Sequence, residues 1–190
     1  MRTVLLTLLA TLGLITLAGT AFVYVGAYDV AATRPHWPVT HWVMETMRIR
    51  AIKAQAAGIM PPADLMSHSN ILNGTEHFAA HCATCHGAPG VPAGDIAAGL
   101  YPKPPDLKDT AQRYTPGELF WIVKNGIKMT GMPAWSDHDD QALWGTVAFI
   151  QKLPGLSEAA YAQMVMATIA QGGHHHGGDP PDTDGGAGHH

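Results

Sequence analysis

The stretch His81-Cys82-Ala83-Thr84-Cys85-His86 contains both cysteines of this 190-residue chain and decides how the rest of it is read. C-x-x-C-H is the attachment signature for c-type haem. Residues i and i+3 share a helix face, so Cys82 and Cys85 can both reach the vinyl groups along one edge of a porphyrin. His86 then follows at the position from which its imidazole reaches the iron. Thioether bonds hold the haem even when the fold opens, which suits an exported protein. Two other chemistries use paired cysteines at this spacing. A thioredoxin-like disulfide needs a preceding strand and a βαβ context, and the sequence shows neither. A zinc knuckle commonly takes further cysteines from another segment, and the chain has none left.

An electron-transferring haem normally has a second axial ligand, and Met opposite His raises the potential. Of nine methionines, Met129 and Met132 lie close together in the loop Asn125 to Trp135. Gly131 and Pro133 frame Met132, letting the backbone approach a flat macrocycle and fixing the turn. Met129 lacks that frame and reads as a pocket wall, and Met44, Met47 and Met60 belong to a separate helix. His77 and His81 precede the cysteines on the helix that carries the proximal ligand, whereas the sixth ligand must come from the opposite haem face. His68 and His138 read most simply as surface residues.

Outward from the motif, the sequence predicts helices over Gly74 to Cys85, Pro116 to Asn125 and Asp139 to Leu153. A Gly/Pro-rich stretch runs from Gly87 to Asp106. The last helix shows a broad apolar face (Leu143, Trp144, Val147, Phe149, Ile150, Leu153) at helical spacing, and Asp137, Asp139 and Asp140 suit its positive N-terminal dipole. No convincing strand alternation occurs. So small a core with loops this long is poorly explained unless something fills its centre, and a haem would supply that volume. A short further helix is expected over Tyr161 to Met166, and a disordered Gly/His/Pro/Asp tail beyond Gln171.

Here the sequence resembles the class I cytochromes c, all-α domains in which three or more helices cradle one covalent haem. The likeness covers about Asn70 to Leu153. The opening helix is similar to the family's G-x-x-x-F-x-x-x-C-x-x-C-H through Gly74, Phe78, Cys82, Cys85 and His86. The segment Gly131-Met132-Pro133-Ala134 resembles its axial-methionine loop, which implies Met132 as sixth ligand beside His86. Pro105-Asp106-Leu107 resembles its G-P-N-L, which implies that the Pro105 carbonyl accepts a hydrogen bond from His86 Nδ1–H. The resemblance also implies that Gly74 and Phe78 pack on Phe149. Thr146 stands where the family more often has a large aliphatic residue, so a looser or reoriented helix contact is expected there.

Val4 to Tyr28 contains no charged side chain, about the 20 helical residues that span a bilayer core. A cleaved signal has an apolar stretch of only about 7–15 residues, although Ala18, Gly19 and Ala21 would permit cleavage. Length favours an anchor. Arg2 before the span and Asp29 after it place the N-terminus in the cytoplasm and the remainder in the periplasm of a bacterial inner membrane. Between them, Pro38 with Thr40 starts a helix that Gly58, Pro61 and Pro62 stop. It reads as an interfacial helix, a docking helix for a partner subunit, or a helix packed on the globular domain. The expected organisation is therefore an anchor (1–28, or an uncleaved signal), a juxtamembrane helical linker (29–69), a haem domain (70–155), a short helix (156–170) and a tail (171–190).

A formal net charge of −4 gives no phosphate-binding surface, so nucleic acid is not an expected partner. Between Lys103 and Lys128, five basic residues (Lys103, Lys108, Arg113, Lys124, Lys128) face three acids (Asp106, Asp109, Glu118). That surplus steers an acidic partner toward the haem edge or is simply a solvated face. The five tail histidines (His174, His175, His176, His189, His190) either bind transition metals or have no role. No nucleophile–base or acid–base pair is evident, so an electron carrier is expected rather than an enzyme. Its partners would be a redox donor and acceptor, membrane lipid through the N-terminal helix, and a dehydrogenase or integral-membrane subunit. The layout loosely resembles anchored cytochromes that link a periplasmic dehydrogenase to a respiratory chain. The alternative is a haem-based sensor with a labile sixth ligand.

Overall fold

The computed structural model describes residues 1–170, and the expected tail lies outside them. Helix α1 (Arg2–Tyr24) is predominantly apolar, with a mean hydropathy of 2.1 over its most apolar 18-residue window, and none of it is buried. At 1.5 Å per residue it is about 35 Å long, enough to cross a bilayer. Where it ends, Trp37 meets Phe22 and Tyr28 edge to face at 5.8 and 5.1 Å. His36 then ties this turn to the globular head, its backbone N–H donating to the Tyr101 hydroxyl at 2.9 Å.

Helix α2 (Pro38–Gln55) begins with proline at its first position, where no N–H is needed. Its single buried residue is Ile52. Just beyond, Ile59 packs on the core, and its carbonyl lies so close to Gly117 that no Cβ would fit between them. The C-terminal end of α2 therefore rests on the head, as one of the three readings of this helix requires. Its first turns do not: Val39, Trp42, Val43 and Met47 are exposed.

The head is built from α3 (His68–His81), the single turns α4 (Ala83–His86) and α5 (Asp95–Ala98), then α6 (Leu107–Arg113), α7 (Pro116–Asn125), α8 (Asp140–Lys152) and α9 (Glu158–Ala170). Side-chain caps fix most starts. Ser67 accepts from Asn70 N–H, Asp106 from Lys108 N–H, and Asp139 from Gln141 and Ala142 N–H. Thr115 and Glu118 form a reciprocal capping box on α7. Among the described residues there is no strand, only an isolated bridge between Ala88 and Val91.

The main crossing is α3 on α8. Gly74 and Gly145 let the two backbones touch, and Phe78 meets Phe149 at 4.8 Å, both rings fully buried. Leu143, Val147, Leu119, Val123 and Leu153 complete the core. Burying each such side chain contributes about 1.5–3 kcal/mol.

Three sequence expectations change. The first head helix starts six residues before Gly74, because Ser67 caps it, and it breaks at Cys82 instead of continuing to Cys85. Helices α5 and α6 appear where no helix was expected; both are short, and α6 is set by the Asp106 cap. Thr146 does not loosen the crossing. It is fully buried and its hydroxyl is bonded to His77 and Ala142.

Candidate functional site

The site begins where α3 stops. Cys82 has φ −102° and ψ −37°, and this small departure from helix geometry separates α3 from the turn that carries Cys85 and His86. Gly87, at φ +68°, ends that turn in a conformation that L side chains rarely adopt. The chain then doubles back, and Gly94 N–H donates to the Thr84 carbonyl at 2.8 Å. Both cysteines are thiols, not a disulfide. Cys82 packs against the core; burial, with a smaller contribution from Cys85, pushes its thiol pKa up to about 12.

His86 sits against the Pro-rich return strand of chain. Its Nδ1–H donates to the Pro105 carbonyl at 3.0 Å, and Pro105 immediately precedes the Asp106 cap of α6, which holds it in place. Burial lowers the imidazole pKa, and the Pro105 bond opposes this only in part. The ring is therefore neutral, with Nδ1 protonated and the Nε2 lone pair available for coordination. Beside it opens a cavity of about 340 Å³ lined by Cys85, His86, Pro92, Pro104, Leu107 and Leu153, among others.

Met132 lies on another segment, half-buried against the same core that Cys82 touches. Gly126, at φ +63°, turns the chain out of α7. Ile127 N–H donates to the Met132 carbonyl at 3.3 Å, Met132 N–H to Thr130 Oγ1 at 3.1 Å, and Trp135 N–H to the Lys124 carbonyl at 3.1 Å. These bonds fold the loop back on α7. Met132 does not line the cavity beside His86. Met129, expected as a pocket wall, is instead 75% exposed and has φ +61°. It caps a turn and faces solvent.

The residues fit a covalent haem. Two thiols stand one helical turn apart next to a cavity walled in part by Pro92, Pro104, Leu107 and Leu153, and a neutral imidazole has its ring orientation fixed by a backbone acceptor, as the hydrogen-bond partners behind metal ligands commonly do. Residues 69–150 match the family described as cytochrome C oxidase, cbb3-type, subunit III, and the match takes in the whole C-x-x-C-H motif and the Met132 loop. This domain is a c-type cytochrome. Among curated proteins, none matches the chain.

The cytochrome domain accordingly carries haem c covalently, with Cys82 and Cys85 placed for attachment, and it works by haem-based electron transfer with redox partners. One group of residues escaped the sequence reading. His138, expected at the surface, is half-buried, and its Nδ1 lies 2.9 Å from His77 Nε2. With His81 they form a cluster covered by Trp135, whose ring lies 4.8–5.8 Å from all three imidazoles. The separation of 61 positions between His77 and His138 hides this pairing in the sequence.

Proposed function

We propose that this cytochrome is a six-coordinate, membrane-anchored carrier of single electrons, with His86 and Met132 as the axial ligands of its iron. The haem supplies a one-electron ferrous–ferric couple. The chain's own residues do the rest. Cys82 and Cys85 tether the group, Pro105 holds the His86 ring by Nδ1–H so that Nε2 is presented, and the Thr130 hydroxyl and Pro133 hold the backbone on either side of Met132.

The observation that carries this reading is the 3.0 Å bond between His86 Nδ1 and the Pro105 carbonyl. It fixes the tautomer that a proximal ligand needs and makes the imidazole more basic. A neutral methionine on the opposite face would favour the ferrous state and a high potential.

The apolar helix α1 supports a membrane anchor with the haem domain on the periplasmic side of a bacterial inner membrane. The exposed Val39, Trp42, Val43 and Met47 continue apolar surface from the membrane exit along α2, which suits contact with lipid headgroups or with a membrane subunit. In this position the carrier would link a donor such as a periplasmic dehydrogenase to an acceptor in a respiratory complex.

The test is optical. Ferric protein with methionine on the iron shows a weak sulfur-to-iron band in the red, and Met132→Ala should remove it while the haem stays attached. Persistence of that band in Met132→Ala would assign the sixth ligand elsewhere.

A further inference from the structure

His77 and His81 are four residues apart on α3, so their side chains share a face, and their rings lie 4.7 Å apart. His138 enters from the loop before α8, at 4.9 Å from the His77 ring and 5.4 Å from that of His81. One ligand nitrogen from each residue falls within 4.8 Å of the other two. Three imidazoles from two separate segments thus converge on one point, away from the cavity beside His86.

The protons at this point can be assigned. Thr146 has one hydroxyl hydrogen, which it donates to the Ala142 carbonyl at 3.0 Å. Its 3.0 Å contact with His77 Nδ1 must therefore be a bond donated by the imidazole. Nδ1 of His77 carries the proton, and Nε2 points its lone pair at His138 Nδ1, 2.9 Å away. A metal ligand with its other ring nitrogen donating to a fixed acceptor is the arrangement that outer groups impose on coordinating histidines. Here that acceptor is Thr146, a fully buried polar residue on an otherwise apolar face of α8.

We infer that His77, His81 and His138 form a second metal site, separate from the haem, that takes a divalent transition ion of the zinc or copper(II) type. Imidazoles without a carboxylate suit these ions and not calcium or magnesium. Metal–nitrogen bonds of about 2.0–2.1 Å place tetrahedral ligand nitrogens roughly 3.3 Å apart. The 2.9 Å pair needs to open slightly and the wider separations to close by side-chain rotation. His81 is exposed and gives the ion a path from solvent, while Trp135 covers the cluster and His77 is buried beneath. The competing account is a packed imidazole pair that binds nothing.

Copper(II) titrated into the full-length, detergent-solubilised ferric holoprotein separates the two accounts. The ferric state is used so that copper finds no electron to accept. The background replaces His174, His175, His176, His189 and His190 with alanine, which removes tail binding. Calorimetry should show one equivalent bound, with nitrogen hyperfine structure in the copper resonance spectrum. His81→Ala and His138→Ala should each weaken binding at least about tenfold with the haem spectrum unchanged, and Thr146→Val should weaken it about 10–100-fold. Thr146→Ser, which keeps the hydroxyl, should restore it. The absence of stoichiometric copper in the background protein, or unchanged binding by either histidine variant, would overturn the proposal.

Discussion

Gly74 and Gly145 meet backbone to backbone where α3 crosses α8, with no room for a Cβ on Gly74 against the Gly145 carbonyl. This contact brings Phe78 over Phe149 and sets the direction in which α3 delivers Cys82. A methyl group at Gly74 must push two helices apart, whereas one at Gly145 meets its nearest atoms at 3.0–3.4 Å. Gly74→Ala should therefore destabilise the domain by about 1–3 kcal/mol or more, and Gly145→Ala by less. Denaturant unfolding of the two holoproteins checks the order, which a reversed ranking would refute.

The Met132 loop makes a second pair of glycines unequal. A Cβ on Gly126 would lie 2.6 Å from the Pro133 backbone, at a residue whose φ is +63°. A Cβ on Gly131 would meet only the side-chain end of Leu100, also at 2.6 Å, and leucine can rotate away. Gly126→Ala should displace Pro133 and with it Met132, so the red sulfur band weakens or vanishes. Gly131→Ala should keep the band, with a stability loss of about 1 kcal/mol or less. Equal optical effects would contradict this account of how the loop is held.

Acid should destabilise the domain through His86. Its pKa is lowered in the fold, mainly by burial, so below the ordinary histidine value the unfolded chain binds a proton that the folded chain does not. Stability is full above that value and is lost as pH falls through the lowered one. Iron on Nε2 would act in the same direction. Denaturation midpoints measured from about pH 7 toward about pH 5 should fall, with His86 released from the iron at the acid end. A midpoint that rises on acidification would show that burial of this imidazole does not govern the response.

If α1 anchors the protein, it should remain with membranes through high-salt and alkaline carbonate washes and leave them only in detergent. A form lacking residues 1–28 should be soluble with the same haem spectrum, because none of α1 is buried in the head. Release of the full-length chain by salt alone would mean that α1 does not span.

Much of the haem site was legible because its parts are local. Cys82, Cys85 and His86 lie within one helical turn, and Gly131-Met132-Pro133, the loop proposed to supply the sixth ligand, declares its turn by residue type. The Pro105 contact was expected from resemblance, since nothing in local chemistry points a carbonyl at a ring 19 residues away. Helix α7 was bounded correctly because Pro116 and Gly126 mark both ends. By contrast, α3 begins at an ordinary Ser67 cap, and α6 is only seven residues long, so neither gives a strong periodic signal. The His77–His138 pair and its Thr146 support are purely tertiary. Thr146 read as a departure from pattern, and only the fold shows that it answers a buried imidazole.

The central claim is that the iron is saturated by His86 and Met132 and therefore carries electrons without binding a substrate. Mixing carbon monoxide with the ferrous wild-type protein tests it most directly. Slow and incomplete binding is predicted, with ready binding only after Met132→Ala opens the sixth position. Rapid, full binding by the wild-type protein would contradict the account and point to a haem that senses or holds small molecules.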